Sequence, residues 1–128
     1  TQAYDILRGI SVFAGLNDQE LAVLSTHVNT RRYPKNTVII QEGDEANALY
    51  VIESGQAKVY LSNEDGKEVI INILGQGELF GELALIDDAP RSASVKTTKP
   101  TTLAVISRSG FKQLLASHTD IALRLLVE

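Results

Sequence analysis

Glu82 and Arg91 are the residues of this chain whose types and spacing best suit chemistry with a ligand. They lie nine positions apart in Phe80-Gly81-Glu82-Leu83-Ala84-Leu85-Ile86-Asp87-Asp88-Ala89-Pro90-Arg91-Ser92-Ala93-Ser94-Val95, a carboxylate and a guanidinium set among apolar neighbours. An isolated charge is costly to bury, so each needs a partner. The partner is either the other residue of the pair or a ligand that offers both an anion and a hydroxyl.

The flanking residues favour a ligand. Gly81 has no Cβ, which permits a positive φ and a close approach to the main chain. The good helix formers that follow suit one short turn, whose first N–H groups have no internal partner and form a natural anion site. Pro90 fixes its own φ and holds Ala89 extended, which directs the strand that begins at Arg91. Arg91 presents a planar fork of donors suited to two phosphate oxygens at once. Glu82, as an acceptor, suits a sugar hydroxyl. A phosphate beside a ribose satisfies both. The competing reading, an exposed Glu–Arg pair across a surface turn, would contribute only about 0–1 kcal/mol and leaves the glycine, proline and apolar residues without a role.

Gly81-Glu82-Leu83-Ala84, the turn after it and Pro90-Arg91-Ser92-Ala93 resemble the phosphate-binding cassette of the cyclic-nucleotide-binding superfamily. That superfamily includes the bacterial Crp/Fnr transcription regulators, the regulatory subunits of cyclic-nucleotide-dependent kinases and nucleotide-gated channels. The resemblance implies that Glu82 holds the ribose 2′-hydroxyl and Arg91 the cyclic phosphate. It implies that the main chain of Gly81, Glu82, Leu83 and Ala84 assists, and that Ser92 touches the phosphate or helps select the purine. It also points to Ile71 as the aliphatic side chain that packs on the purine, with ordinary core as the alternative.

The composition narrows the function further. A chain of 128 residues with 44% hydrophobic content makes one domain with a sizeable core. No apolar run reaches the roughly 18 residues of a membrane span, and no basic-then-apolar leader is present, so the expected location is the cytoplasm. With no cysteine, disulfides, thiolate zinc sites and cysteine-ligated iron–sulfur clusters are excluded for this segment. A net charge of −4 argues against the segment itself gripping DNA. Its one basic cluster, Arg31, Arg32 and Lys35, reads as a solvated loop beside a strand start. An enzyme of the cupin type would need several histidine and carboxylate ligands from neighbouring strands, yet His27 and His118 both fall in or beside helical segments. No Ser-His-Asp arrangement can be assembled either. The expected function is therefore non-catalytic, without cofactor or metal, the ligand being cyclic AMP or cyclic GMP.

The elements that position the cassette follow a mixed pattern. Tyr4 to Ile10 reads as a short helical turn. Asn17 caps a second helix of about ten to twelve residues with Glu20 completing a capping box, and Leu21, Leu24 and Val28 form its apolar stripe. From Pro34 the chain turns to short strands at Thr37–Ile40, Ala48–Ile52, Ala57–Leu61, Val69–Leu74, Ala93–Thr97 and Thr102–Ile106. Turn residues separate most of them, with Asp65-Gly66 as the clearest hairpin. Period two places Val69, Ile71 and Ile73 on one face. The pattern predicts a mainly β fold with flanking helices, an antiparallel β-roll or double-stranded jelly roll. Its expected limits are helices over about 4–28, a β-roll over 34–107 with the cassette at 80–95, and helices over 109–128.

After Ser109, a candidate cap, Phe111, Leu114 and Leu115 line one side of a helix. Residues 121–127 begin another, more apolar than a single face on a small β-roll requires. In Crp/Fnr proteins the matching segment starts a long helix that forms the dimer seam, caps the base and leads to a helix-turn-helix domain. The resemblance thus implies a sensor half interrupted about two turns into that helix. It implies a homodimer through a helix continuing past Glu128, and DNA contact only through a domain outside this chain. A kinase-type or channel-type regulatory domain, or a ligand-free interaction domain with a degenerate cassette, is the alternative.

Overall fold

The computed structural model describes residues 17–81, 84–85 and 88–117. Among them, eight strands form two four-stranded antiparallel sheets, flanked by helices α1 (Asp18–Ser25) and α2 (Arg108–Ser117). In chain order the strands are β1 (Val28–Tyr33), β2 (Val38–Ile40), β3 (Ala48–Ser54), β4 (Ala57–Ser62), β5 (Glu68–Leu74), β6 (Leu79–Phe80), β7 (Ser94–Thr97) and β8 (Thr101–Ser107). The first sheet runs β1-β8-β3-β6 and the second β2-β7-β4-β5, which is the antiparallel β-roll that the strand spacing predicts.

Strand β3 explains how the layers stack. Period two sends its side chains alternately to the two faces of the first sheet. Leu49 and Val51 join Ala104 and Ile106 of β8 against Leu21, Leu24, Phe111 and Leu114 of the helices. Ala48, Tyr50 and Ile52 join Leu103 and Val105 against Ile40, Ala57, Leu74 and Val95 of the second sheet. A strand covered on both faces must be apolar throughout, and β3 is buried from Ala48 to Ile52.

The capping box forms as expected. The Glu20 main-chain N–H donates to Asn17 Oδ1 at 2.8 Å, and the Asn17 N–H donates to Glu20 Oε1 at 2.9 Å. The helix is shorter than its apolar stripe predicts, ending at Ser25. Val28 begins β1 instead, because the main chain from Val28 to Tyr33 pairs in register with Ile106 to Thr101 of β8. The β-roll therefore starts at 28 and not at 34. Arg31 and Arg32 are exposed on this edge strand, not in a loop, and charged side chains there discourage pairing with another chain. At α2 the cap is Ser107, whose Oγ accepts from the Gly110 N–H, in place of Ser109.

Strand β5 corrects a second expectation. Its register with β4 passes from Val59↔Asn72 to Tyr60↔Ile70, which leaves Ile71 as the extra residue of a bulge. Period two breaks there, and Val69, Ile71 and Ile73 do not form a continuous face. All three are exposed, as is Ile70, on the outer strand of the sheet. The connecting turn is closed by its own atoms. Asn63 Oδ1 accepts from the N–H groups of Asp65 and Lys67, and the Asn63 N–H donates to the Lys67 carbonyl. The expected helices over 4–10 and 121–127 lie outside the described residues.

Candidate functional site

The site is built around a buried charge. Arg91, 5% exposed, sits just before β7. Its Nη1 donates to the Gly81 carbonyl and its Nη2 to the Ala48 carbonyl, both at 2.6 Å. Hydrogen bonds from a charged donor are short and strong, and two of them fix the plane of the fork. The arginine backbone is held as well. Its N–H donates to the Asp44 carbonyl at 2.9 Å, and its carbonyl accepts from the Gly43 N–H at 2.8 Å. The segment 43–48 thus holds Arg91 by both main chain and side chain.

Gly81 is required for two reasons. Its φ of +88° belongs to the region that side chains rarely adopt. A Cβ at this position would lie 2.7 Å from Arg91 Nη1 and 3.3 Å from Ile40 Cδ1. The guanidinium therefore rests where a side chain would otherwise be. Phe80, the residue before Gly81, stacks on Tyr50 with ring centroids 5.1 Å apart at 16°. Burial pushes the Tyr50 phenol above its usual range, and the charge of Arg91 pulls the other way, so the ring stays neutral at neutral pH.

Ile40, Gly81, Ala84, Arg91, Ser92, Ala93 and Val95 line a cavity of about 100 Å³. Of the expected ligand-binding residues, Gly81, Ala84, Arg91 and Ser92 therefore meet on one cavity wall. Glu82 and Leu83 lie outside the described residues. Ile71 does not line the cavity and is 57% exposed on the edge strand, which also removes the alternative that it is ordinary core. Ile40 and the Ala48 carbonyl are parts of the site that the sequence alone did not reveal. Both arrive from β2 and β3, and nothing local to the cassette marks them. Ile40 stands directly before the Gln41-Glu42-Gly43-Asp44 turn, which was the one available signal. Among the described residues, no group of three or more histidine, cysteine, aspartate or glutamate side chains is placed to hold a metal ion.

Comparison with known proteins agrees with this geometry. Residues 30–118 match the family described as the cyclic nucleotide-binding domain. A cAMP-dependent protein kinase regulatory subunit from Debaryomyces hansenii is 37% identical over 117 residues, covering 91% of this chain and 25% of that protein. The cAMP-activated global transcriptional regulator CRP of Pasteurella multocida is 36% identical over 109 residues, covering 84% of this chain and 52% of that protein. Among solved structures, the regulatory domain of Toxoplasma gondii PKA with cAMP superimposes with a TM-score of 0.81 at 30% identity, over 88% of this chain and 42% of that one. The chain thus spans about a quarter to a half of these relatives. With the family match reaching from β1 to the end of α2 and taking in the cassette, the chain belongs to the cyclic nucleotide-binding domain family.

Proposed function

We propose that this domain is a non-catalytic sensor that binds a cyclic nucleotide, cyclic AMP first and cyclic GMP second. The observation that carries this reading is the buried Arg91 at the wall of a cavity, its fork held by the Gly81 and Ala48 carbonyls. A space of about 100 Å³ suits a phosphate group, whereas whole ligand sites run to about 300–1,000 Å³. The sugar and base would therefore extend past its mouth. In this reading Arg91 and Ser92 meet the cyclic phosphate with the main chain of Gly81 to Ala84, and Glu82 takes the ribose 2′-hydroxyl. Ile71 keeps its proposed place against the purine only if ligand binding brings β5 over the cavity.

Signalling requires that the nucleotide bind two arrangements of the domain with different affinity, since equal affinity shifts nothing. The parent we favour is a cytoplasmic Crp/Fnr-type transcription regulator, a homodimer whose DNA-binding domain lies outside this chain. A kinase-type regulatory subunit is the second reading, supported by the equally close similarity to the Debaryomyces hansenii protein.

Isothermal titration with cyclic AMP and cyclic GMP tests the binding. Saturable heat that Arg91→Ala abolishes is the expected result, and the stronger ligand names the purine. Equal heat from wild type and Arg91→Ala would overturn the assignment of Arg91, and silence with both nucleotides would favour a ligand-free interaction domain.

A further inference from the structure

We propose that Asp88 is a positioning residue that ties the phosphate cassette to α2, so that occupancy at Arg91 is transmitted to that helix. This inference rests on the nucleotide-sensor reading and adds to it a residue that does not touch the ligand.

Asp88 stands in the cassette turn with a φ of +53°, a left-handed conformation that aspartate tolerates better than most side chains. Its Oδ1 accepts from Arg108 Nη2 and, at 2.8 Å, from Lys112 Nζ. The two cations are four residues apart and share one face of α2, so a single carboxylate engages a whole helical turn. Arg108 also reaches the loop between β2 and β3. Its Nη1 donates to the Ala46 carbonyl at 3.3 Å, and its main-chain N–H donates to the Asn47 carbonyl at 3.0 Å.

Segment 43–48 is therefore gripped from both sides, by Arg91 at Gly43, Asp44 and Ala48 and by Arg108 at Ala46 and Asn47. Cassette and helix also meet through Leu85, fully buried in the same cluster as Phe111 and Leu114. An apolar contact is non-directional and lets the turn slide or rotate. The carboxylate between two cations fixes its setting across an open groove of about 320 Å³ lined by Glu45, Ala46, Pro90 and Arg108. Because Asp88 is 56% exposed, its pairs add little to stability, and their value lies in where they hold α2.

The test measures amide hydrogen exchange across 108–117 with and without saturating cyclic AMP in wild type, Asp88→Asn and Asp88→Glu, alongside calorimetric affinity and urea unfolding. Wild type is expected to bind and to change its exchange in this helix. Asp88→Asn should bind within about threefold of wild type and unfold at the same urea concentration, while losing at least two thirds of that exchange response. Asp88→Glu should restore it. A full response in Asp88→Asn with unchanged affinity would overturn this inference and leave the sensor reading standing. Loss of binding in Asp88→Asn would make Asp88 part of the ligand site and overturn its positioning role. A wild type that binds no cyclic AMP would overturn the sensor reading, and this inference with it.

Discussion

Arg91 and Asp88 are charges of opposite sign three residues apart on one turn, and the fold treats them in opposite ways. Arg91 is enclosed, with both arms of its fork on main-chain carbonyls and its backbone tied to the neighbouring loop. Asp88 is open to solvent and rests on two long flexible cations. A buried charge has little freedom to move, and its environment is set before any ligand arrives. An exposed charge on flexible partners can exchange them at little cost. On the readings proposed above, the enclosed guanidinium serves recognition and the exposed carboxylate sets the position of α2.

Removing the fixed member should have the largest effect. Hydrogen bonds from charged groups contribute about 1.5–3 kcal/mol each, so Arg91→Ala should lower nucleotide affinity more than about tenfold. It should also destabilise the domain by about 2 kcal/mol or more in urea unfolding, since the carbonyls of Gly81 and Ala48 lose a charged donor. Unchanged affinity and stability would place Arg91 outside the recognition task. Gly81→Ala should come next. The strained φ costs about 1–2 kcal/mol, and the new methyl group displaces the guanidinium, so stability and affinity fall together. A variant that binds normally would mean that the fork direction is not needed.

The smallest effect concerns Asp88. Lys112, and after it Arg108, hold its carboxyl below the ordinary value of 3.8. A lowered folded-state value means that the link is fully present above pH 3.8 and is lost as pH falls through the lowered value. Hydrogen exchange of α2 in wild type and Asp88→Asn should therefore differ at neutral pH and converge below that range. Curves separated by a constant amount at every pH would show that the carboxylate's charge is not what holds the helix.

Local signals in the sequence were legible for the most part, the cap of α2 at Ser107 in place of Ser109 being the exception. Asn17 and Glu20 announce their cap because its atoms lie within one turn, and Gly81, Pro90 and Arg91 announce the cassette because each residue type meets a nearby steric or charge requirement. Features that depend on distant partners stayed hidden. Val-Asn-Thr-Arg-Arg-Tyr over Val28–Tyr33 carries no apolar alternation, and only pairing with β8 makes it a strand. Leu79–Phe80 is too short to show a period. The bulge at Ile71 depends on the register of β4, and the links from Asp88 to Arg108 and Lys112 span 20 and 24 positions. The carbonyls that hold Arg91 belong to the main chain, where sequence carries little information about orientation.

The turn from Asn63 to Lys67 offers a practical consequence. Its hydrogen bonds close on themselves, and its residues are exposed and join neither core cluster. Chains tolerate insertion where the flanking backbone is exposed and its bonding is local. A fluorescent protein spliced between Asp65 and Gly66 should leave both cores folded, while the same graft within β3 should not.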